Sequence, residues 1–190
     1  MLVNLKAIID MAEKGGYAIP AFNVYNTETV MGIIKAAEEE RAPVIIQVYP
    51  RLLNEEVGYY LCPCIIAAAR KATVPVCFHL DHGPSEMEVM KALRWGATGI
   101  MYDGSVHPFE ENIENTKHIV DICSSIDVGV EGELGHVGSV NDDAMEEYTD
   151  PVEAAEFVKK TGVCCLAVLI GNAHGHYKKT PCIDIERVKA

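Results

Sequence analysis

Apolar, β-branched runs alternate with stretches of helical period along the whole chain, the pattern that repeated βα units and a parallel sheet require. Six runs read as strands: Ala18 to Val24, Pro43 to Val48, Val74 to Leu80, Gly99 to Tyr102, Val128 to Glu131 and Val163 to Ile170. Between the second and third, Val57, Tyr60, Leu61, Cys64, Ile65 and Ala68 recur at the spacing of one helix face. Ser85-x-x-Glu88 is a capping box that opens a helix through Leu93, and Asp150-Pro151 offers an N-cap and a first-turn proline ahead of Ala154, Ala155 and Val158. A helix from Pro108 carries Phe109, Ile113 and Val120 on one side. Gly132 to Thr149, with glycines at 132, 135 and 138 ahead of a polar run, reads as a long loop. No linker or composition shift divides the chain, so residues 1–190 read as one domain.

Six units in 190 residues are about 30 residues each, whereas a closed (β/α)8 barrel takes roughly 250. Two α/β architectures therefore compete: a TIM barrel of which about six βα units are present, and a six-stranded doubly wound sheet complete in itself. A barrel collects chemistry at the carboxyl ends of many strands, an open sheet only near its switch point. Here polar residues close almost every strand: Asn23 and Asn26 the first, His79, Asp81 and His82 the third, Asp103 and Ser105 the fourth, Glu131 and Glu133 the fifth, His174 the sixth. That distribution favours the barrel.

Within the third run, His79 and Asp81 are two apart and share a face, while His82, ahead of Gly83, points up out of the strand end. His82, His174, Glu133 and Asp103 supply neutral imidazoles and carboxylates from different elements, the inventory of a metal site; a hydrogen-bonded structural cluster is the equally open alternative. His174 sits between Gly171 and Gly175, which fits either close backbone approach to a ligand or a plain turn. His107, His118, His136 and His176 read as surface or loop residues.

Charge and cysteine usage narrow the partners. Sixteen Lys and Arg against 28 Asp and Glu leave a net charge of −12, which argues against nucleic acid and anionic membrane surfaces. The run Val163 to Ile170 is too short for a bilayer, which takes about 20 residues. No basic, then apolar, leader opens the chain. The seven cysteines lack CxxC spacing and read as thiols of a reducing cytoplasm.

Taken together, Pro20-Ala21-Phe22-Asn23-Val24-Tyr25-Asn26, His79-Leu80-Asp81-His82-Gly83, Asp103-Gly104-Ser105 with Pro108-Phe109-Glu110-Glu111-Asn112, Glu131-Gly132-Glu133-Leu134-Gly135 and Gly171-Asn172-Ala173-His174-Gly175 resemble the class II, zinc-dependent fructose-bisphosphate and tagatose-bisphosphate aldolases. The resemblance implies a (β/α)8 barrel, a homo-oligomer (dimer or tetramer) and reversible cleavage of a ketose 1,6-bisphosphate into dihydroxyacetone phosphate and glyceraldehyde 3-phosphate. It implies that His82 and His174 bind catalytic Zn2+, that Asp81 is the acid/base, and that Glu133 and Asp103 hold the zinc or a second metal when the site rearranges. It further implies Asn23 near substrate, and Gly175 beside a phosphate and a monovalent cation such as Na+ or K+. Asn141 stands where the family has a glutamate that aids proton transfer, leaving Asp142 as the carboxylate to substitute. Gln47-Val48-Tyr49-Pro50 replaces the family's small Ser/Gly-rich segment.

In the family, a seventh strand ending in a His-Gly-Gly-Ser-like motif and an eighth with an Asn-rich phosphate site follow the helix that begins here at Pro181. The expectation is thus a C-terminally shortened aldolase, without the third zinc histidine. A non-catalytic remnant, binding phosphosugar or metal, is the alternative within the family. A stand-alone doubly wound phosphate-binding domain is the alternative outside it.

Overall fold

The computed structural model describes residues 1–135, 148–177 and 180–190. In chain order the elements are α1 (Leu5–Gly15), β1 (Ala21–Asn23), α2 (Thr27–Glu40), β2 (Val44–Val48), α3 (Pro50–Asn54), α4 (Glu56–Lys71) and β3 (Val76–Gly83). They continue with α5 (Glu86–Arg94), β4 (Gly99–Tyr102), α6 (Phe109–Ser124), β5 (Gly129–Leu134), α7 (Pro151–Thr161), β6 (Cys165–Val168) and α8 (Ile185–Lys189). The strands form one parallel sheet in the order β1-β2-β3-β4-β5-β6. A doubly wound sheet reverses its strand order at a switch point. Here every crossover adds the next strand on the same side, so the doubly wound reading is set aside. The sheet is six consecutive units of a TIM-barrel-like wall, a partial barrel with β1 and β6 as its edges among the described residues.

Period-two alternation sorts the strand residues between two faces. Ile46, Phe78, Ile100 and Val130 lie in one buried cluster with Val30 of α2, Ile65 of α4, Val89 of α5, Ile119 of α6 and Phe157 of α7, which makes the outer wall. Ile45 and Cys77 face the other way and pack on Leu5 and Ile8 of α1. Helix α1 is therefore not a wall helix: it closes the amino-terminal end of the barrel, tied by Leu5 N to the Thr98 carbonyl at 3.0 Å. Gly99 and Gly129 permit this approach, because a Cβ on either would stand 2.9 or 3.0 Å from Leu5 Cβ.

Local signals account for most boundaries. Asn4 caps α1 by accepting from Ala7 N, and Gly16 ends it in the left-handed region at φ 66°. Asn26 and Thr29 form a reciprocal capping box on α2. Asp150 caps α7 through Val152 N and Glu153 N, with Pro151 in its first turn.

Several strands differ from their sequence limits. β1 begins only after Pro20, whose nitrogen has no hydrogen to donate. β6 is shorter than Val163 to Ile170 because the Leu169 and Ile170 amides are taken by Thr149 Oγ1 at 2.8 Å and Asn172 Oδ1 at 2.9 Å. β3 runs past Leu80 to Gly83. β5 runs past Glu131 to Leu134, which moves Gly132 and Glu133 out of the expected loop and into the strand. All seven cysteines are free. Among the described residues no helix is long and apolar enough to cross a membrane.

Candidate active site

Because the strands are parallel and in register, their carboxyl ends share one rim. A cavity of about 680 Å³ opens there, lined by Asn23, Asp81, His82, Asp103 and His174 together with Tyr25, Tyr49 and Arg51.

The decisive local feature lies in β3. Pairing with β4 runs His79 to Gly99 and Leu80 to Ile100, then resumes at Gly83 to Tyr102, so β3 carries one extra residue. His82 absorbs it with φ 45°, in the left-handed region. In a regular strand the neighbours Asp81 and His82 would point to opposite faces. The bulge turns both side chains to the cavity, the re-aiming that bulges perform beside functional sites. Gly83 follows for lack of room: a Cβ would sit 2.8 Å from the Met101 carbonyl oxygen. His82, expected beyond the end of a strand closing at Leu80, is thus placed within the strand, at a bulge.

Asp81 accepts from Asn23 Nδ2 at 2.7 Å on Oδ2 and from Gln47 Nε2 at 3.0 Å on Oδ1. One donor on each oxygen fixes the plane of the carboxylate. Beneath it His79, 1% exposed, has Nδ1 3.4 Å from Gln47 Nε2. Its Nε2 lies 3.3 Å from Glu131 Oε2, without the angle of a hydrogen bond. Gly99 makes room for that imidazole, since a Cβ there would stand 2.7 Å from His79 Cδ2.

His82 faces three carboxylates. Its Nδ1 is 2.9 Å from Asp103 Oδ2 and 3.2 Å from Glu133 Oε2, and its Nε2 is 3.9 Å from Asp81 Oδ1. Hydrogen bonding to Asp103 first, then to Glu133, pushes the imidazole up to about 10 against the desolvation that opposes it. Burial raises Asp103, but the His82 and Ser105 donors outweigh it and bring the carboxyl to about 2. Ser105 supplies those donors to Oδ1 through its amide at 3.1 Å and its hydroxyl at 2.6 Å. Glu133, 1% exposed, is positioned from behind by Asn112 of α6, whose Nδ2 donates to the Glu133 carbonyl at 2.9 Å.

One ligand atom each from His82, Asp103 and Glu133 lies within 4.8 Å of the others, a group able to hold a metal ion. His174 is outside that group. It is exposed, and its ring stands edge-on to His82 at a centroid distance of 5.1 Å. Gly175 follows with φ 106°. Asp142 lies outside the described residues. His107, half-buried ahead of α6, pairs with Glu111 of that helix, and His118 pairs with Glu86 on exposed helix surface. Sequence reasoning passed over Gln47 and Asn112. In the sequence Gln47 stood out only as part of the segment that departs from the family, and strand pairing puts it in one register row with Asn23 and His79; Asn112 gave no signal beyond its motif.

A family model, fructose-bisphosphate aldolase class-II, matches residues 3–190. The chain is similar to the YdjI aldolase from Escherichia coli K12, with 41% identity and a TM-score of 0.89, over 100% of this chain and 68% of that one. It is also similar to the fructose-bisphosphate aldolase of Campylobacter jejuni, with 25% identity and a TM-score of 0.77, over 99% of this chain and 63% of that one. With barrel order, rim chemistry and the family match in agreement, the chain belongs to the class II fructose-bisphosphate aldolase family.

Proposed function

We propose that this chain is a zinc-dependent ketose-bisphosphate aldolase that cleaves fructose 1,6-bisphosphate or tagatose 1,6-bisphosphate between C3 and C4. The products are dihydroxyacetone phosphate and glyceraldehyde 3-phosphate. Family membership and aldolase neighbours support a lyase of this type. The observation that carries the reading is a carboxylate fixed by two amide donors, Asp81, beside the His82, Asp103 and Glu133 donor set at the mouth of one cavity.

The donor set fits the metal. One imidazole nitrogen and two carboxylates are ligand chemistry that zinc accepts while keeping a position open. His174, edge-on to His82, is the second imidazole we assign to it. Zinc, when bound, supplies Lewis acidity toward a ketone oxygen.

The remaining work falls to side chains. Asp81 takes the proton of the C4 hydroxyl as the C3–C4 bond breaks, and the electron pair of that bond passes to C3 and into the neighbouring carbonyl. In the condensation direction Asp81 returns that proton to the new C4 alkoxide. Asn23 and Gln47 keep the carboxylate from rotating toward His82, so its free lone pairs stay aimed at the substrate. The Gly175 amide is assigned to a substrate phosphate.

The test is cleavage of both bisphosphates by metal-depleted protein with and without added zinc, alongside Asp81→Asn. Zinc-restored cleavage that disappears in D81N, with zinc content unchanged, is the expected result. Cleavage that survives complete chelation, or equal turnover by D81N, refutes the assignment.

A further inference from the structure

Arg51 is the one Lys or Arg among the described residues that line the cavity, in a chain of net charge −12 whose cavity already holds Asp81 and Asp103. Its side chain is 79% exposed, and its Nε stands 3.8 Å from Glu55 Oε1, beyond hydrogen-bond length. Its backbone, in contrast, is fixed. Tyr49-Pro50 turns the chain at the end of β2, and the Leu52 and Leu53 amides bond the Tyr49 carbonyl at 3.0 and 3.3 Å. Gly58 locks the α3–α4 corner, since a Cβ there would stand 2.7 Å from the Leu52 carbonyl oxygen. A rigid base thus delivers a guanidinium to the cavity mouth.

The sides of the mouth have different duties. His82, Asp103 and Glu133, from β3 to β5, address the ketone half of a substrate in the reading above, on which this inference rests. Asp81 addresses the C4 hydroxyl and is held by Asn23 and Gln47 of β1 and β2. Atoms beyond C4 therefore extend along the β1–β2 side, where Arg51 stands. We propose that Arg51 is a specificity-determining residue that binds a terminal oxyanion, phosphate or carboxylate, on the aldehyde half of the substrate. The guanidinium fork matches both groups bidentately.

The experiment compares wild type, Arg51→Gln and Arg51→Lys in the zinc-loaded full chain, condensing dihydroxyacetone phosphate with three aldehydes. These are glyceraldehyde 3-phosphate, succinic semialdehyde and uncharged glyceraldehyde. In R51Q the ratio of kcat/KM for a charged over the uncharged aldehyde falls about tenfold, and R51K keeps part of the preference. A fall confined to glyceraldehyde 3-phosphate identifies a phosphate site; a fall for both charged aldehydes identifies a general oxyanion site. A ratio unchanged within about twofold overturns the proposal. If no aldehyde is turned over, the aldolase reading fails, and calorimetric binding of glyceraldehyde 3-phosphate against glyceraldehyde decides on Arg51 alone. R51Q-specific weakening of the phosphate-bearing ligand then supports the oxyanion site, and equal binding to wild type and R51Q overturns it.

Discussion

Asn112 joins the interior to the candidate metal site, which makes it the most informative single substitution. Its side chain is 1% exposed, donates to the Glu133 carbonyl at 2.9 Å and accepts from Thr116 Oγ1 at 3.0 Å. Asn112→Ala removes both bonds in a site closed to water. Each buried hydrogen bond left unmade costs about 1–3 kcal/mol, so for the two together a loss of about 2–6 kcal/mol is expected. The same change frees the end of β5 that carries the Glu133 carboxylate. Removing the support of a metal ligand lowers affinity about 10- to 100-fold. Thr116→Val is the matched comparison: it costs about 1–2 kcal/mol but keeps the bond to the Glu133 carbonyl, so zinc affinity stays within about threefold. Urea unfolding of metal-free protein reads the first quantity, and competition with a chromophoric chelator reads the second. If N112A is destabilised yet binds zinc as wild type does, or if T116V weakens zinc equally, the coupling argued here is wrong.

Gly58→Ala places a Cβ against two backbone carbonyl oxygens, at 2.7 Å from Leu52 and 2.9 Å from Leu53; a loss of about 1–3 kcal/mol is expected in chemical unfolding. The metal-free site also makes stability depend on pH. His82, raised to about 10 by Asp103 and Glu133, contributes stability that is complete below its unfolded value near 6.5 and is lost as pH rises through about 10. Asp103, brought to about 2, contributes stability present above its unfolded value near 3.8 and lost as pH falls through about 2. Urea midpoints of metal-free protein are expected to fall on the alkaline side, and a slope unchanged in His82→Asn refutes this. Zinc uptake near pH 7.5 is expected to release about one proton, because His82 must be neutral to ligate. Calorimetry in buffers of different ionisation enthalpy measures that number.

Much of the site could be read from the chain, because parallel strands present their carboxyl ends together. Asn23, the Asp81-His82 pair, Asp103 and Glu133 stand at four separate places in sequence and meet at one rim. His174 arrives beside His82 but outside the three-residue donor group. What escaped were contacts set by elements distant in sequence. Gln47 became meaningful only when β2 paired with β3 and put its amide on Asp81. Asn112 required α6 to pack behind β5. The amphipathic pattern of α1 gave no hint that the helix closes the barrel floor, because packing on strands from inside or from outside asks for the same apolar stripe.

By itself, the sequence determined the βα repeat, the concentration of carboxylates and imidazoles at strand ends, and the family motifs, all carried by residue type and local period. Strand-end chemistry and the motifs favoured a barrel wall over a doubly wound sheet, and tertiary structure settled the choice, since either order satisfies the same alternation and cross-strand pairing distinguishes them. It also decided where Asp81 and His82 aim. A bulge is a mismatch of register between two strands, β3 and β4, and no property of one strand's own residues contains it.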